Sequence, residues 1–254
     1  MRIVALADTH LVPHGERYVD HDPWATLERA IRVIDELRPD LVVHAGDIVA
    51  RPAAEPVYHA FFEYLHGGGH QAPWHLIPGN HDDIETLARL GKSLPPDTGV
   101  SIHVEPVLLG NDSGDAPIAL IPEGADADDT KRLLAREDWR ILVTHRHLTP
   151  TGVPWIDETI HPLRRTLLAA LSVRAWRLAI TGHSHRWALE TTEDVPDSCR
   201  ILTLDGLATT FDHRAPSWAL ADHTPSMALI DTERLHDPRA LERIAVTHAT
   251  PADR

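Results

Sequence analysis

Five short apolar runs recur along this chain, at residues 3–7, 41–45, 74–77, 141–144 and 178–181, and each leads straight into a polar cassette. Runs of four or five residues are too short for buried helices and read as buried strands. The stretches between them carry helical spacing, so the chain reads as α/β. In open sheets of that class, ligands bind beyond the carboxyl ends of the strands. The cassettes stand there: Asp8-Thr9-His10, Gly46-Asp47, Gly79-Asn80-His81-Asp82, His145 and Gly182-His183-Ser184-His185. Five strand ends would bring them to one place, which scattered histidines would not achieve.

The residue types suit metal chemistry. Carboxylate, imidazole and amide donors fit Zn, Fe, Mn or Ni, and the sole cysteine, Cys199, lies outside every cassette, which excludes a thiolate cluster. Two divalent ions held roughly 3.5–4 Å apart need an anion that belongs to both, and a carboxylate on a rigid strand end supplies one. Asp47 fits that part. Taken singly, each cassette has a plainer reading: Asp8-Thr9-His10 as a turn or helix start, Gly79-Asn80-His81 as a turn. Their joint occurrence, in order, favours a metal site.

The order and wording of the cassettes closely resemble the calcineurin-like metallophosphoesterases, whose signature runs D-x-H, G-D, G-N-H-[DE], a lone H and G-H-x-H. The resemblance spans almost the whole chain. Asp8-Thr9-His10-Leu11-Val12-Pro13 with Gly15-Glu16-Arg17, and Thr151-Gly152-Val153-Pro154-Trp155-Ile156-Asp157, look most like the class III cyclic-nucleotide phosphodiesterase branch. This resemblance implies a four-layer α-β-β-α sandwich of two mixed sheets, with a dinuclear metal site at the carboxyl ends of the strands. It implies one ion on Asp8, His10 and His185, another on Asn80, His145 and His183, and Asp47 bridging them. It implies that His81 is no ligand but binds substrate and donates a proton. Three departures stand out: Ala50 where the family often has the last residue of G-D-x-x-D, His145-Arg146-His147-Leu148 in place of H-H-P-P, and a shortened segment over 110–139. Arg146 and His147, in the loop after a ligand, become candidates for facing the substrate.

Helices are expected at about 23–37, 54–65, 84–90, 126–136 and 162–173. In the first, Trp24, Leu27, Ile31, Ile34 and Leu37 share one face, with Asp22 as N-cap and Pro23 in the first turn. The acidic residues 126–129 read as a solvated helix start favoured by the helix dipole. Further strands are expected near 101–109, 187–192, 200–205 and 227–231, and 241–248 reads as either a strand or a helix capped at Asp237-Pro238. Segments 91–99 and 110–114 read as loops. Of the 19 histidines, His14, His21, His59, His66, His70, His161 and His248 read as surface residues or local hydrogen-bonders. His44 and His75, inside apolar runs, read as satisfied core histidines or supports for ligands.

A single domain over residues 1–254 is expected, without repeats or a Gly/Ser linker. The formal charge of −14 argues against coating a nucleic-acid polymer, whose phosphates are met by Lys and Arg. No apolar run approaches the roughly 18 residues of a membrane helix. Met1-Arg2-Ile3-Val4 opens the first strand without room for a signal peptide, and one cysteine suits a reducing compartment, so the expected location is the cytoplasm. The expected activity is hydrolysis of small phosphodiesters by a metal-bridging hydroxide, with two divalent ions (Mn, Fe or Zn) as cofactors. A phosphomonoesterase or nucleotide pyrophosphatase on the same metals, and a silent binding module of the same fold, are the alternatives.

Overall fold

The computed structural model describes residues 1–52, 54–67, 72–110, 117–136, 138–222 and 224–247. His70, His248 and the loop expected at 111–114 lie outside them. In chain order the elements are β1 (Arg2–Leu6), α1 (Pro23–Leu37), β2 (Leu41–His44), α2 (Glu55–Gly67), β3 (Trp74–Leu76), α3 (Ile84–Ser93), β4 (Val100–Ile102), β5 (Val107–Leu109), β6 (Ile118–Ile121), α4 (Ala127–Leu134) and β7 (Ile141–Thr144). There follow α5 (Pro154–Asp157), α6 (Arg164–Ser172), β8 (Leu178–Thr181), β9 (Ala188–Glu190), β10 (Arg200–Thr203), β11 (Ser226–Asp231) and β12 (Leu241–Ala245).

The strands form two six-stranded mixed sheets, ordered β12-β11-β1-β2-β3-β4 and β5-β6-β7-β8-β10-β9. In each, four adjacent strands run parallel and the remaining pairings are antiparallel. Alternation along each strand builds the layers. Ile3, Ala5, Leu41 and Val43 of the first sheet meet Ile118, Leu120, Val143 and Ile180 of the second in a shared inner core. Val4, Leu6 and Val42 turn outward against Leu27, Ile31 and Ile34 of α1 and Phe61 of α2. Ala119, Leu142 and Ile201 do the same against Leu167 and Leu171 of α6. Two sheets face to face, each covered by helices, make the expected α-β-β-α sandwich.

Local chemistry explains why the helices begin where they do. Asp22 accepts the Ala25 N–H at the start of α1, and Asp126 accepts the N–H groups of Asp128 and Asp129 at the start of α4, satisfying donors that no earlier turn can reach.

Two expectations need correction. The run 101–109 is not one strand: β4 pairs parallel with β3 in one sheet, and β5 pairs antiparallel with β6 in the other. The chain crosses between sheets through Glu105-Pro106, where proline lacks the N–H a continued ladder requires. Residues 91–93 are the last turn of α3 rather than loop; a Cβ on Gly91 would lie 3.2 Å from the Ile102 Cβ, so the glycine lets this helix close on β4. Residues 151–157, similar in wording to the diesterase branch, hold a short helix, α5, that begins at Pro154. Of the two readings of 241–248, the strand is the one found: Leu241–Ala245 form an edge strand paired with β11. Among the described residues no helix is long and apolar enough to cross a membrane.

Candidate metal centre

The strands deliver their cassettes to one end of both sheets, and the backbone laces them together there. Past the end of β1, Asp8 N–H donates to Gly46 carbonyl (2.9 Å) and His10 N–H to Asp47 carbonyl (3.1 Å). Gly182 N–H donates to the His145 carbonyl (2.8 Å), and His183 N–H reaches both Asp8 oxygens (3.0 and 3.2 Å). Asp8, His10, Asp47, His183 and His185 all take positive φ, between 41° and 66°. Five of the seven expected ligands thus sit in a backbone region that side-chain-bearing residues seldom occupy, as strained functional sites do. The glycines of the cassettes make the close approach possible. A Cβ on Gly182 would lie 2.7 Å from Asp8 Oδ2, and one on Gly79 would strike the Asp47 carboxylate.

All seven expected ligands converge. Asp8, His10 and His185 offer donor atoms within 4.8 Å of one another, as do Asp47, His145 and His183. Asn80 Oδ1 lies 3.1 Å from His145 Nε2, joining the second group. Asp47 stands between the two: its Oδ1 accepts the His81 N–H (2.8 Å), while its Oδ2 faces His10 Nε2 at 3.7 Å and His145 Nε2 at 3.4 Å. His81 stands with His10 and Asp47 in a third such cluster.

The hydrogen bonds assign tautomers. Carbonyls only accept, so His145 donates its Nδ1–H to Ala45 (2.9 Å), His185 donates to Thr209 (2.9 Å) and His81 to Ala50 (2.9 Å), each leaving Nε2 for the cleft. His183 is held the other way round. The Thr159 hydroxyl donates to the Ile156 carbonyl (2.6 Å) and so must accept from His183 Nε2 (2.7 Å), which leaves Nδ1 as the free ring nitrogen of the neutral imidazole. Imidazole nitrogens and carboxylate oxygens crowd together across the hole: His185 Nε2 is 3.1 Å from His10 Nε2 and 3.3 Å from Asp8 Oδ1. A buried donor set of imidazoles and carboxylates at this spacing fits divalent cations.

The electrostatics point the same way. Burial disfavours charge on His145, yet Asp47 and Asp8 outweigh it and hold the imidazole up to about 10. Burial would raise Asp47, but His145 and His10 hold it well below the usual carboxylate range. Burial pushes His10 down to about 3 against the pull of Asp47 and Asp8, and burial with His145 pushes His183 well below its ordinary value. The buried carboxylates favour positive charge beside them.

Several supporting groups surround the ligands. His44 accepts the Gly46 N–H on Nδ1 (3.2 Å) and meets the Thr9 hydroxyl through Nε2 (3.0 Å), in keeping with the supporting role expected of it. His75 pairs instead with His103 (3.0 Å). His161 is a buried hydrogen-bonder, taking the Leu163 N–H and meeting Thr144; His14, His59 and His66 are exposed. Arg146 holds Glu123 through Nε (2.9 and 3.0 Å) and donates to the Thr159 carbonyl (3.1 Å), bracing the residue that orients His183. His147 is buried and stacked on His183, with ring centroids 5.7 Å apart. The sequence reading assigned no part to Asp82, Thr159, Thr209 or Tyr18. Asp82 accepts N–H groups from Ile48, Val49 and Gly79 and the Tyr58 hydroxyl, pinning two cassettes together; burial and Asp47 push it up to about 6. Its place in the fourth position of Gly79-Asn80-His81-Asp82 was the signal for it. The others carry no motif.

A sequence model of calcineurin-like phosphoesterases matches residues 1–187. The chain is 26% identical to the 3',5'-cyclic adenosine monophosphate phosphodiesterase CpdA of Escherichia coli K12, over 94% of this chain and 91% of that protein. A probable cyclic nucleotide phosphodiesterase of Rhodopseudomonas palustris is 36% identical over 38% of this chain and 35% of its own. Among solved structures, TT1561 of Thermus thermophilus superposes with a TM-score of 0.60 at 14% identity, covering 97% of this chain and 99% of that one. Cassettes, sandwich and family match agree: the chain belongs to the calcineurin-like phosphoesterases and is a phosphoric ester hydrolase.

Proposed function

We propose that the chain hydrolyses small phosphodiesters as a single domain, on two divalent ions (Mn, Fe or Zn) held by Asp8, His10 and His185 on one side and Asn80, His145 and His183 on the other. The observation that carries this reading is Asp47 Oδ2, which faces one histidine of each group at 3.7 and 3.4 Å. When bound, such ions bring the pKa of water toward neutrality and neutralise charge building on the phosphoryl oxygens.

The chain's own residues do the rest. Asp47 keeps the two groups in register, with its orientation fixed by the His81 N–H. His81 keeps its Nδ1–H on the Ala50 carbonyl and turns Nε2 to the cleft; in its imidazolium form it gives the Nε2 proton to the departing alkoxide and is left as the neutral ring. General acid catalysis of this kind contributes roughly two to four orders of magnitude, most for a poor leaving group such as an alkoxide. Tyr18 stacks on His10 at 4.7 Å; burial, with Asp47 and Asp8, pushes its phenol up to about 12, so it remains a hydroxyl donor at the rim.

Two observations support diesters over monoesters. Arg146 is committed to Glu123 and Thr159, so it adds no free cation to hold a dianion. CpdA of Escherichia coli, similar over nearly its whole length, is named for a cyclic diester. At −14 overall, the chain would repel long polyanions before they reached the cleft. The test compares kcat/KM for bis-(p-nitrophenyl) phosphate, p-nitrophenyl phosphate and 2',3'- and 3',5'-cyclic nucleotides at equal metal loading. Diesters should lead. A clear preference for the monoester would overturn the diesterase reading, and no turnover with both ions bound would favour a binding module.

A further inference from the structure

The chain has only three phenylalanines and seven tryptophans, yet one of the former and two of the latter gather beside a candidate metal ligand. Phe211 lies flat on the His185 ring, with centroids 4.1 Å apart and planes 7° from parallel. Trp155 and Trp218 each stand edge-on to Phe211, at 5.5 and 6.4 Å. Trp218 is 53% exposed, one of few large apolar side chains that burial does not account for.

The backbone fixes this group in place. Residues 211–220 fold as a flap whose ends pair through a Phe211–Leu220 bridge and an Asp212 N–H to Ala219 carbonyl bond (2.9 Å). His213 Nε2 donates to the Ser184 carbonyl (2.8 Å), anchoring the flap on the Gly182-His183-Ser184-His185 cassette. Trp155, on α5, donates its indole N–H to the Ala215 carbonyl (3.4 Å), tying that helix to the flap. Phe211 and Trp218 fall outside residues 1–187, the part that matches the family.

Resting on the phosphodiesterase reading, we propose that Trp155, Phe211 and Trp218 form an aromatic shelf that receives a flat heteroaromatic group, such as a nucleobase, of the ester bound at the metals. Three features commit the shelf to that occupant. It adjoins a ligand of the centre, so a group esterified to the bound phosphate reaches it. Its surface is π-face and edge, which binds flat rings of any base by stacking and gives little to an uncharged aliphatic group such as glycerol. Its exposed member, Trp218, is the outermost, where a small ester's organic end would emerge. The shelf therefore selects ring-bearing diesters over uncharged aliphatic ones.

The test pairs 3',5'-cyclic AMP with its base-less analogue, the cyclic phosphate of 1-O-methyl ribose, on metal-loaded protein. Trp218→Ala should raise KM for cyclic AMP about tenfold or more with kcat little changed, because stacking is worth that much per base, and should leave the base-less diester unaffected. Trp218→Phe should restore most of the loss. Equal effects on both diesters, or none on either, would overturn the shelf while leaving the hydrolase intact. A Trp218→Ala change that alters sedimentation but not the substrate ratio would assign the ring to contact between copies, and overturn it too. If the wild type with two ions turned over neither diester, the phosphodiesterase reading would fall. The shelf would then be judged by tryptophan quenching: AMP should bind at least tenfold tighter than ribose 5-phosphate, and no difference would overturn it.

Discussion

At the scale of single residues, Asp47 and His81 are separable although they touch. Asp47→Ala removes the one oxygen facing both histidine groups, so metal content and activity should fall together. His81→Ala should keep both ions while kcat drops by roughly two to four orders of magnitude, and by less for a p-nitrophenyl leaving group that needs no proton. A His81→Ala protein that had lost an ion would make His81 a ligand instead. Thr159 gives a finer test, since its hydroxyl alone fixes which nitrogen of His183 is bare. Thr159→Val should weaken binding of one ion about 10- to 100-fold, as loss of a ligand's supporting hydrogen bond does elsewhere, and Thr159→Ser should restore it; calorimetric titration reads both. The ligands were legible in the sequence because each follows an apolar run and carries its glycine or histidine spacing. Thr159 and the Thr209 carbonyl were not. Hydrogen bonds between segments remote in the chain leave no local pattern, and a backbone carbonyl has no residue type to betray it.

Among the elements, those whose caps and faces agree were readable to the residue. In α1, Asp22, Pro23 and the Trp24–Leu27–Ile31–Ile34 stripe all specify one helix, and Pro23–Leu37 is where it lies. Asp22→Ala should cost about 1 kcal/mol in urea denaturation. The β4–β5 segment was misread because short apolar runs do not reveal which sheet will take them. Loop cassettes are where elements are bound to one another, and Asp82 does most of that binding. Its carboxylate gathers three backbone N–H groups and a phenol, so Asp82→Ala leaves several buried donors without an acceptor. A loss of about 3 kcal/mol is expected, with weakened metal binding because the Asp47 and Asn80 cassettes are no longer held together. Unchanged stability would show that water replaces the carboxylate.

The whole molecule should be sensitive to acid. Burial pushes His103 and His161 down to about 4, against an ordinary value of 6.5, with His75 adding to the shift of His103 and Arg146 to that of His161. A histidine kept neutral in the folded state stabilises fully above its unfolded pKa, and that contribution is lost as pH falls through the window from 6.5 to about 4. The urea midpoint of chelated protein should therefore decline across that window, and more shallowly in His103→Gln; an identical slope in the variant would contradict this. The sandwich, the convergence of five strand ends and the family could all be read from the chain, whereas the flap at 211–220 could not, having neither periodicity nor motif. Everything proposed about function rests on a pair of ions shared by Asp47, and a metal titration of the purified protein followed by diester turnover tests it most directly. Saturation is expected at two divalent ions per chain, with activity abolished by chelation and restored as the pair refills. Saturation at one ion per chain with full activity would contradict it.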